Sequence, residues 1–249
     1  MIEEAKRYIQ VKMKKRDDLD ILRDFLNLPH SADAVLDRFA SLPQAIKETS
    51  PYDGMGFVFI PATRNAPVLL VAHADVVGDP KCLPELYEDK SSICNRGDIL
   101  GADDRAGCAI IWALRNLGHG ILITDGEEMG CLGAVDIMAN HSDLYEELQS
   151  RYQFMVEFDR KKRDEYKCYD VGTDDFRHYI ETVTGFHEPD RKSLTDICFL
   201  AETICGVNLS CGYRLPHTPL EYIVKKDWLN TLRIARKWLS SPDLPRFEQ

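Results

Sequence analysis

Four short apolar runs, separated by amphipathic stretches, constrain this chain more than any other feature. "PVLLVAHAD", "GILITDGEE", "QFMVEFDR" and "GVNLSCGYRLPH" are rich in β-branched and large apolar residues and flanked by turn residues. Such runs read as buried strands. Between them, "RAGCAIIWALRNLG", "CLGAVDIMAN", "TDDFRHYIETVTG" and "SLTDICFLAETIC" read as helices, and "KDWLNTLRIARKWLSS" closes the chain as another. Residues 1–48 read as mostly helical, with a break at Pro29 and Ser31 as an N-cap. "GFVFIPA" is a further strand. Alternating strands and helices predict an α/β domain of three layers, a mixed, mostly parallel sheet with helices on both faces. No Pro/Gly/Ser-rich linker interrupts 1–249, so one domain is expected.

The four strands end alike. The first ends at His73 and Asp75, the second at Glu127 and Glu128, the third at Asp159, and the fourth leads to His217. "LGADDRAG" adds Asp103 and Asp104 just before a helix. Singly, each has a structural explanation. Asp103 or Asp104 can cap the helix, Glu127 and Glu128 can form a solvated turn, and His217 can be a satisfied core histidine. Asp159 can pair with the "RKKR" that follows it. Together these explanations weaken, because ligands bind at the carboxyl ends of strands in open α/β sheets. Carboxylates gathered there repel unless positive charge lies among them. Carboxylates with two imidazoles suit Zn²⁺, Mn²⁺ or Co²⁺. Two cations about 3.5–4 Å apart would offset the repulsion.

Composition narrows the partners. The net charge of −10 argues against nucleic acid as a partner, because phosphate binding needs a basic surface. No apolar run is long enough to span a membrane, and the charged N-terminus lacks a signal-peptide core, so a cytoplasmic protein is expected. The eight cysteines include no C-x-x-C pair and read as reduced, mostly core residues.

The series "HAD", "GADDRAG", "EEMGCLGA", "FD" and "PHTPLEY", spread over residues 68–223, resembles the di-zinc exopeptidases: peptidase T, the aminoacylases and carboxypeptidases, and the single-domain bacterial aminopeptidases. The resemblance implies two divalent metal ions, most simply zinc. His73 and Asp159 would hold one and Glu128 and His217 the other, with Asp103 bridging. It further implies Glu127 as general base, Asp75 orienting His73, and Asp104 helping to fix the backbone beside Asp103. The implied reaction is hydrolysis of a peptide or amide bond by an activated water, in an aminopeptidase acting on small peptides. A deacylase or amidase acting on N-acyl amino acids is the close alternative. A single-metal cyclase or acyltransferase on the same fold is the alternative of another class, and a non-catalytic binding module would be expected to have lost part of the set.

Peptidase T carries a domain of roughly a hundred residues inserted before its last histidine. Here Asp159 and His217 are only 58 positions apart, so a bare catalytic domain is expected, and oligomeric state and substrate range do not transfer. Asp174, Asp175, His178 and Asp196 lie in that span and could supply substrate contacts, but Asp174 is as well explained as an N-cap, and Asp196, three after Ser193, by a capping-box spacing. Arg214 has the chemistry to meet a substrate carboxylate, though a surface role suits it equally.

Overall fold

The computed structural model describes residues 17–50, 54–189 and 193–249. Its main sheet has seven strands: β1 (Ile46–Thr49), β2 (Gly56–Ile60), β3 (Leu69–His73), β6 (Gly120–Thr124), β7 (Met155–Arg160), β8 (Tyr166–Lys167) and β9 (Gly206–Ser210). Their spatial order is β1-β2-β6-β3-β7-β9-β8. The four inner strands, β6, β3, β7 and β9, are mutually parallel. The outer strands are added antiparallel.

Both faces are covered, which the strand side chains explain. Along β3, Leu70 and Ala72 pack into one apolar cluster with α1 (Asp18–Leu26), α2 (Ala32–Ala40), α3 (Ala102–Leu114), α6 (Asp174–Thr184) and α8 (Lys225–Leu239). The alternate residues Leu69 and Val71 face a second cluster with α4 (Leu132–Asn140), α5 (Ser142–Arg151) and α7 (Ile197–Leu200). The period of two along a strand sends successive side chains to opposite faces. A strand buried on both faces must therefore be apolar throughout. The result is the three-layer α/β fold read from the sequence.

The chain leaves β3 through α3 to β6 on one side, then returns through α4 and α5 to β7 on the other side of β3. The winding direction thus reverses between β3 and β7. In open α/β sheets the ligand crevice opens at that point, beyond the carboxyl ends. His73 is the last residue of β3, and Asp159 is the penultimate residue of β7.

A second, antiparallel sheet of order β10-β11-β5-β4 is formed by β4 (Leu86–Glu88), β5 (Ser92–Asn95), β10 (Tyr213–Arg214) and β11 (Tyr222–Val224). The sequence patterns did not anticipate it, because strands of two to four residues carry no usable periodicity. It positions the site nonetheless, since the β10–β11 connection holds His217.

Other local expectations changed. In the stretch 1–48, residues 1–16 lie outside the described part, and the remainder is two helices followed by the exposed edge strand β1. Ser31 precedes α2 without a side-chain capping bond. The helix expected over "SLTDICFLAETIC" contracts to the single turn α7, because the Thr195 and Asp196 side chains bond to Asp159 and Thr124 instead. Regular helical geometry in α3 begins only after Asp103 and Asp104, whose φ/ψ are non-helical and whose shared peptide is cis. A Cβ on Gly107 would sit 1.9 Å from Phe158 O, so glycine is what lets α3 lie this close to β7.

Candidate metal centre

His73 is buried at the end of β3. Its Nδ1 lies 3.2 Å from Asp75 Oδ1. Its Nε2 lies 3.3 Å from Asp103 Oδ1 and 3.5 Å from Asp159 Oδ1. The other oxygen of Asp103, Oδ2, lies 3.3 Å from His217 Nε2. The Asp103 carboxylate therefore sits between two imidazoles with one oxygen toward each. His217 Nε2 is also 2.6 Å from Glu128 Oε1, yet that oxygen is buried and outside hydrogen-bond geometry with any partner. The two donor atoms thus lie close together without a hydrogen bond between them, as two ligands of one cation would.

These separations suit a small divalent ion. Tetrahedral bonds of 2.0–2.1 Å place two donors about 3.3 Å apart. Groups of donors from His73, Glu127 and Glu128, from His73, Asp104 and Asp159, and from Asp103, Glu128 and His217 each lie within 4.8 Å of one another. The residues thus fit divalent cations, with nitrogen and carboxylate donors and no thiolate. Asp104 approaches His73 and Asp159, but its Oδ1 accepts from Gly107 N at 2.9 Å, the bond of a helix cap.

Other residues hold the donors in place. Asp75 accepts from the backbone N–H groups of Glu127 (3.2 Å) and Glu128 (3.1 Å), tying the turn after β6 to the end of β3. Asp159 N donates to Asn208 Oδ1 at 2.8 Å. Its carboxylate accepts from Tyr213 Oη and Thr195 Oγ1, both at 3.2 Å. Glu221, wholly buried, accepts from Gly101 N (2.8 Å) and Asp103 N (3.1 Å). His217 sits at φ +63°, the left-handed region that a non-glycine residue rarely adopts.

The electrostatics follow from packing acids together out of water. Burial pushes Glu127 up to about 9, outweighing the opposing charge of His73, with smaller help from the charges of Asp159, Asp196 and Asp103. Burial and the neighbouring Asp103 push Asp159 up to about 7. The Asp103 and Glu128 carboxylates draw His217 up to about 10. Burial opposes ionisation of Asp103, but His217 and His73 outweigh it and hold that carboxyl below its ordinary range. Without a cation the cluster therefore stores protons in place of positive charge.

One residue of this neighbourhood was not singled out from sequence, and another was given a different role. Glu157, on β7, is wholly buried with both carboxylate oxygens unpartnered. Asp196, read as a cap, is buried with one oxygen accepting from Thr124 and the other unpartnered. An acid inside the apolar run "FMVEFD" was the available signal for Glu157, since unpaired carboxylates are seldom fully buried. The basic run after Asp159 does not pair with it: Arg160 and Lys162 both close on Glu165. Arg214 turns to α8, bonding Asp227 at 2.7 Å. Asp174 and Asp175 are exposed at the start of α6, which Thr173 caps.

The donors line a cavity of about 300 Å³, together with Arg160, Lys161, Tyr169, Ser193, Leu194 and Tyr213. A larger groove of about 670 Å³, between α6, α8 and the C-terminal segment, shares none of these residues. Among the described residues no helix is long and apolar enough to cross a membrane.

No family model and no curated protein matches the sequence. Solved structures do match. Aminopeptidase PepT of Bacillus cereus superposes with a TM-score of 0.66 at 13% identity, covering 90% of this chain and 97% of that one. A tripeptidase of Staphylococcus aureus gives 0.62 at 12% identity, covering 90% and 98%. An aminopeptidase of the archaeon Desulfurococcus kamchatkensis gives 0.62 at 11%, covering 90% and 95%. The chain shares the fold of these peptidases.

Proposed function

We propose that this chain is a metal-dependent exopeptidase that removes the N-terminal residue of short peptides. The observation that carries the reading is the Asp103 carboxylate, whose two oxygens each face a different histidine at 3.3 Å. His73 and Asp159 would hold one cation, Glu128 and His217 a second, and Asp103 would serve both. When bound, two such cations lower the pKa of a water and polarise the scissile carbonyl. The single catalytic domain, with β8, α6, α7 and β9 filling the span between Asp159 and His217, is part of this proposal.

The chain's own residues would do the rest. Glu127 lines the cavity without a place in the two-metal set, so it is free to take a proton from the attacking water and return it to the departing amine. Glu128, one residue on, faces His217. The two backbone bonds to Asp75 fix both glutamates, so neither can take the other's role. Asp75 also fixes the ring of His73 through Nδ1 and leaves Nε2 for the metal.

The test is metal content together with a substrate screen. The purified protein should bind two equivalents of zinc, manganese or cobalt, and should hydrolyse dipeptides or aminoacyl amides but not their N-acetyl forms. One equivalent of metal would favour the single-metal cyclase or acyltransferase. Hydrolysis confined to N-acetyl amino acids would make the protein a deacylase.

A further inference from the structure

Four cations, Arg160, Lys161, Lys162 and Arg163, follow Asp159 without interruption, and the first three part ways. Arg160 and Lys162 bind the two oxygens of the Glu165 carboxylate. Lys161, between them, lines the cavity that also holds Asp103, Glu127, Glu128, Asp159 and His217. Four carboxylates share that cavity, yet among the described residues the Lys161 ammonium closes on none of them and has no other polar partner. Its backbone is pinned all the same. Lys161 O accepts from Ser210 Oγ at 2.8 Å, and on either side Arg160 O accepts from Cys211 N at 2.8 Å and Lys162 N donates to Tyr213 O at 2.9 Å. Arg160 lines the same cavity, and its Nε is buried without a hydrogen-bond partner. The lining of an acidic cavity thus includes a cation whose backbone is firmly rooted and whose ammonium pairs with none of the acids.

We propose that Lys161 binds the free C-terminal carboxylate of a di- or tripeptide substrate, which makes it a specificity residue for short peptides. The proposal rests on the exopeptidase reading above. A short peptide whose scissile amide lies against Glu127 carries one fixed negative charge, at its far end. Asp159 and Lys161 are two residues apart, at most about 7 Å of extended chain, so the ammonium is rooted one or two peptide units from the metal ligands. The volume of about 300 Å³ is at the small end for ligand cavities and admits few residues. Leu194, 57% exposed, offers apolar surface on the same wall. Arg214, three positions before His217 in sequence, is spent on Asp227, and Arg160 on Glu165.

The test compares wild type, Lys161→Met and Lys161→Arg on Leu-Gly and Leu-Gly-Gly as free acids and as C-terminal amides, with zinc present. Wild type should prefer the acids through KM. Lys161→Met should erase that preference by roughly 10–100-fold, the range of one charge-assisted hydrogen bond, while Lys161→Arg restores most of it. An equal loss on acids and amides would assign Lys161 a structural role and overturn the proposal, as would an unaltered preference. Contrast seen only with N-acetyl amino acids and their amides would overturn the peptide assignment. A second readout is independent of turnover: calorimetric binding of Leu-Gly against Leu-Gly-amide to Glu127→Ala and to Glu127→Ala/Lys161→Met. If wild type hydrolyses no peptide, the exopeptidase reading falls, and this binding contrast still decides whether Lys161 holds a carboxylate.

Discussion

The Glu221 carboxylate accepts the backbone N–H of Asp103 at 3.1 Å, joining residues 118 positions apart. Its second oxygen takes Gly101 N at 2.8 Å, so one side chain holds the loop that presents Asp103. Glu221 also ends the β10–β11 connection that carries His217. Both ends of the Asp103–His217 contact therefore depend on it. Glu221→Ala is expected to weaken metal affinity about 10–100-fold, the usual cost of losing a group that orients a ligand. Zinc competition against a chelator measures this, with circular dichroism to verify that the variant folds. Unchanged affinity in a folded variant would remove Glu221 from this role.

Glu127 and Glu128 are adjacent but differently engaged. Both line the cavity, and of the two Glu128 is the one that lies 2.6 Å from His217. Glu127→Ala is expected to lower kcat by about 10²–10⁴-fold, the range for a general acid–base group, while the protein retains its metal. Elemental analysis of the variant checks the separation. Loss of both ions would make Glu127 a ligand.

Proton release should accompany metal binding. Asp159, near 7 through burial beside Asp103, and His217, near 10 through Asp103 and Glu128, hold protons over their donor atoms in the metal-free chain. Each proton must leave before its donor can bind a cation. Protons compete with metal, so affinity rises with pH. Between pH 6 and 8 it should climb roughly ten- to a hundred-fold per unit, for one to two protons displaced. Calorimetry in two buffers of different ionisation enthalpy counts the protons, and a flat profile would exclude Asp159 and His217 as ligands.

How much of this was legible depended on the distance over which each signal acts. His73, Glu128 and Asp159 stand out because each closes a buried apolar run, a pattern confined to one strand and its end. Asp103 stands out through the small residues around it. Glu221 was in plain view within "PHTPLEY", but its partners lie 118 and 120 positions away and no local pattern points to them. Arg214 could not be decided between a substrate contact and a surface role for the same reason, since its partner Asp227 comes from α8. The second sheet was missed because its strands are too short for periodicity. The length expected of α7 failed because Thr195 and Asp196 put their side chains into bonds with Asp159 and Thr124.

Glu157 tests whether the acids beneath the site burden the metal-free fold. It is wholly buried on β7, and neither carboxylate oxygen has a partner. Burial, then the charges of Asp159 and Asp196, push its carboxyl well above the ordinary range. The folded chain therefore keeps Glu157 protonated at pH values where the unfolded chain has released that proton. Below the unfolded value, near 4.5, both states are protonated and the residue has no effect on the slope. As pH rises above it, the folded state binds more protons than the unfolded state, so stability falls. Glu157→Gln keeps the shape and removes the titration. With chelator present, the melting temperature of the variant should decline less steeply between pH 5 and 8 than that of wild type, so that the difference in the variant's favour widens with pH. Parallel slopes would mean that Glu157 is ionised in the folded chain, paired with a charge that its surroundings do not display.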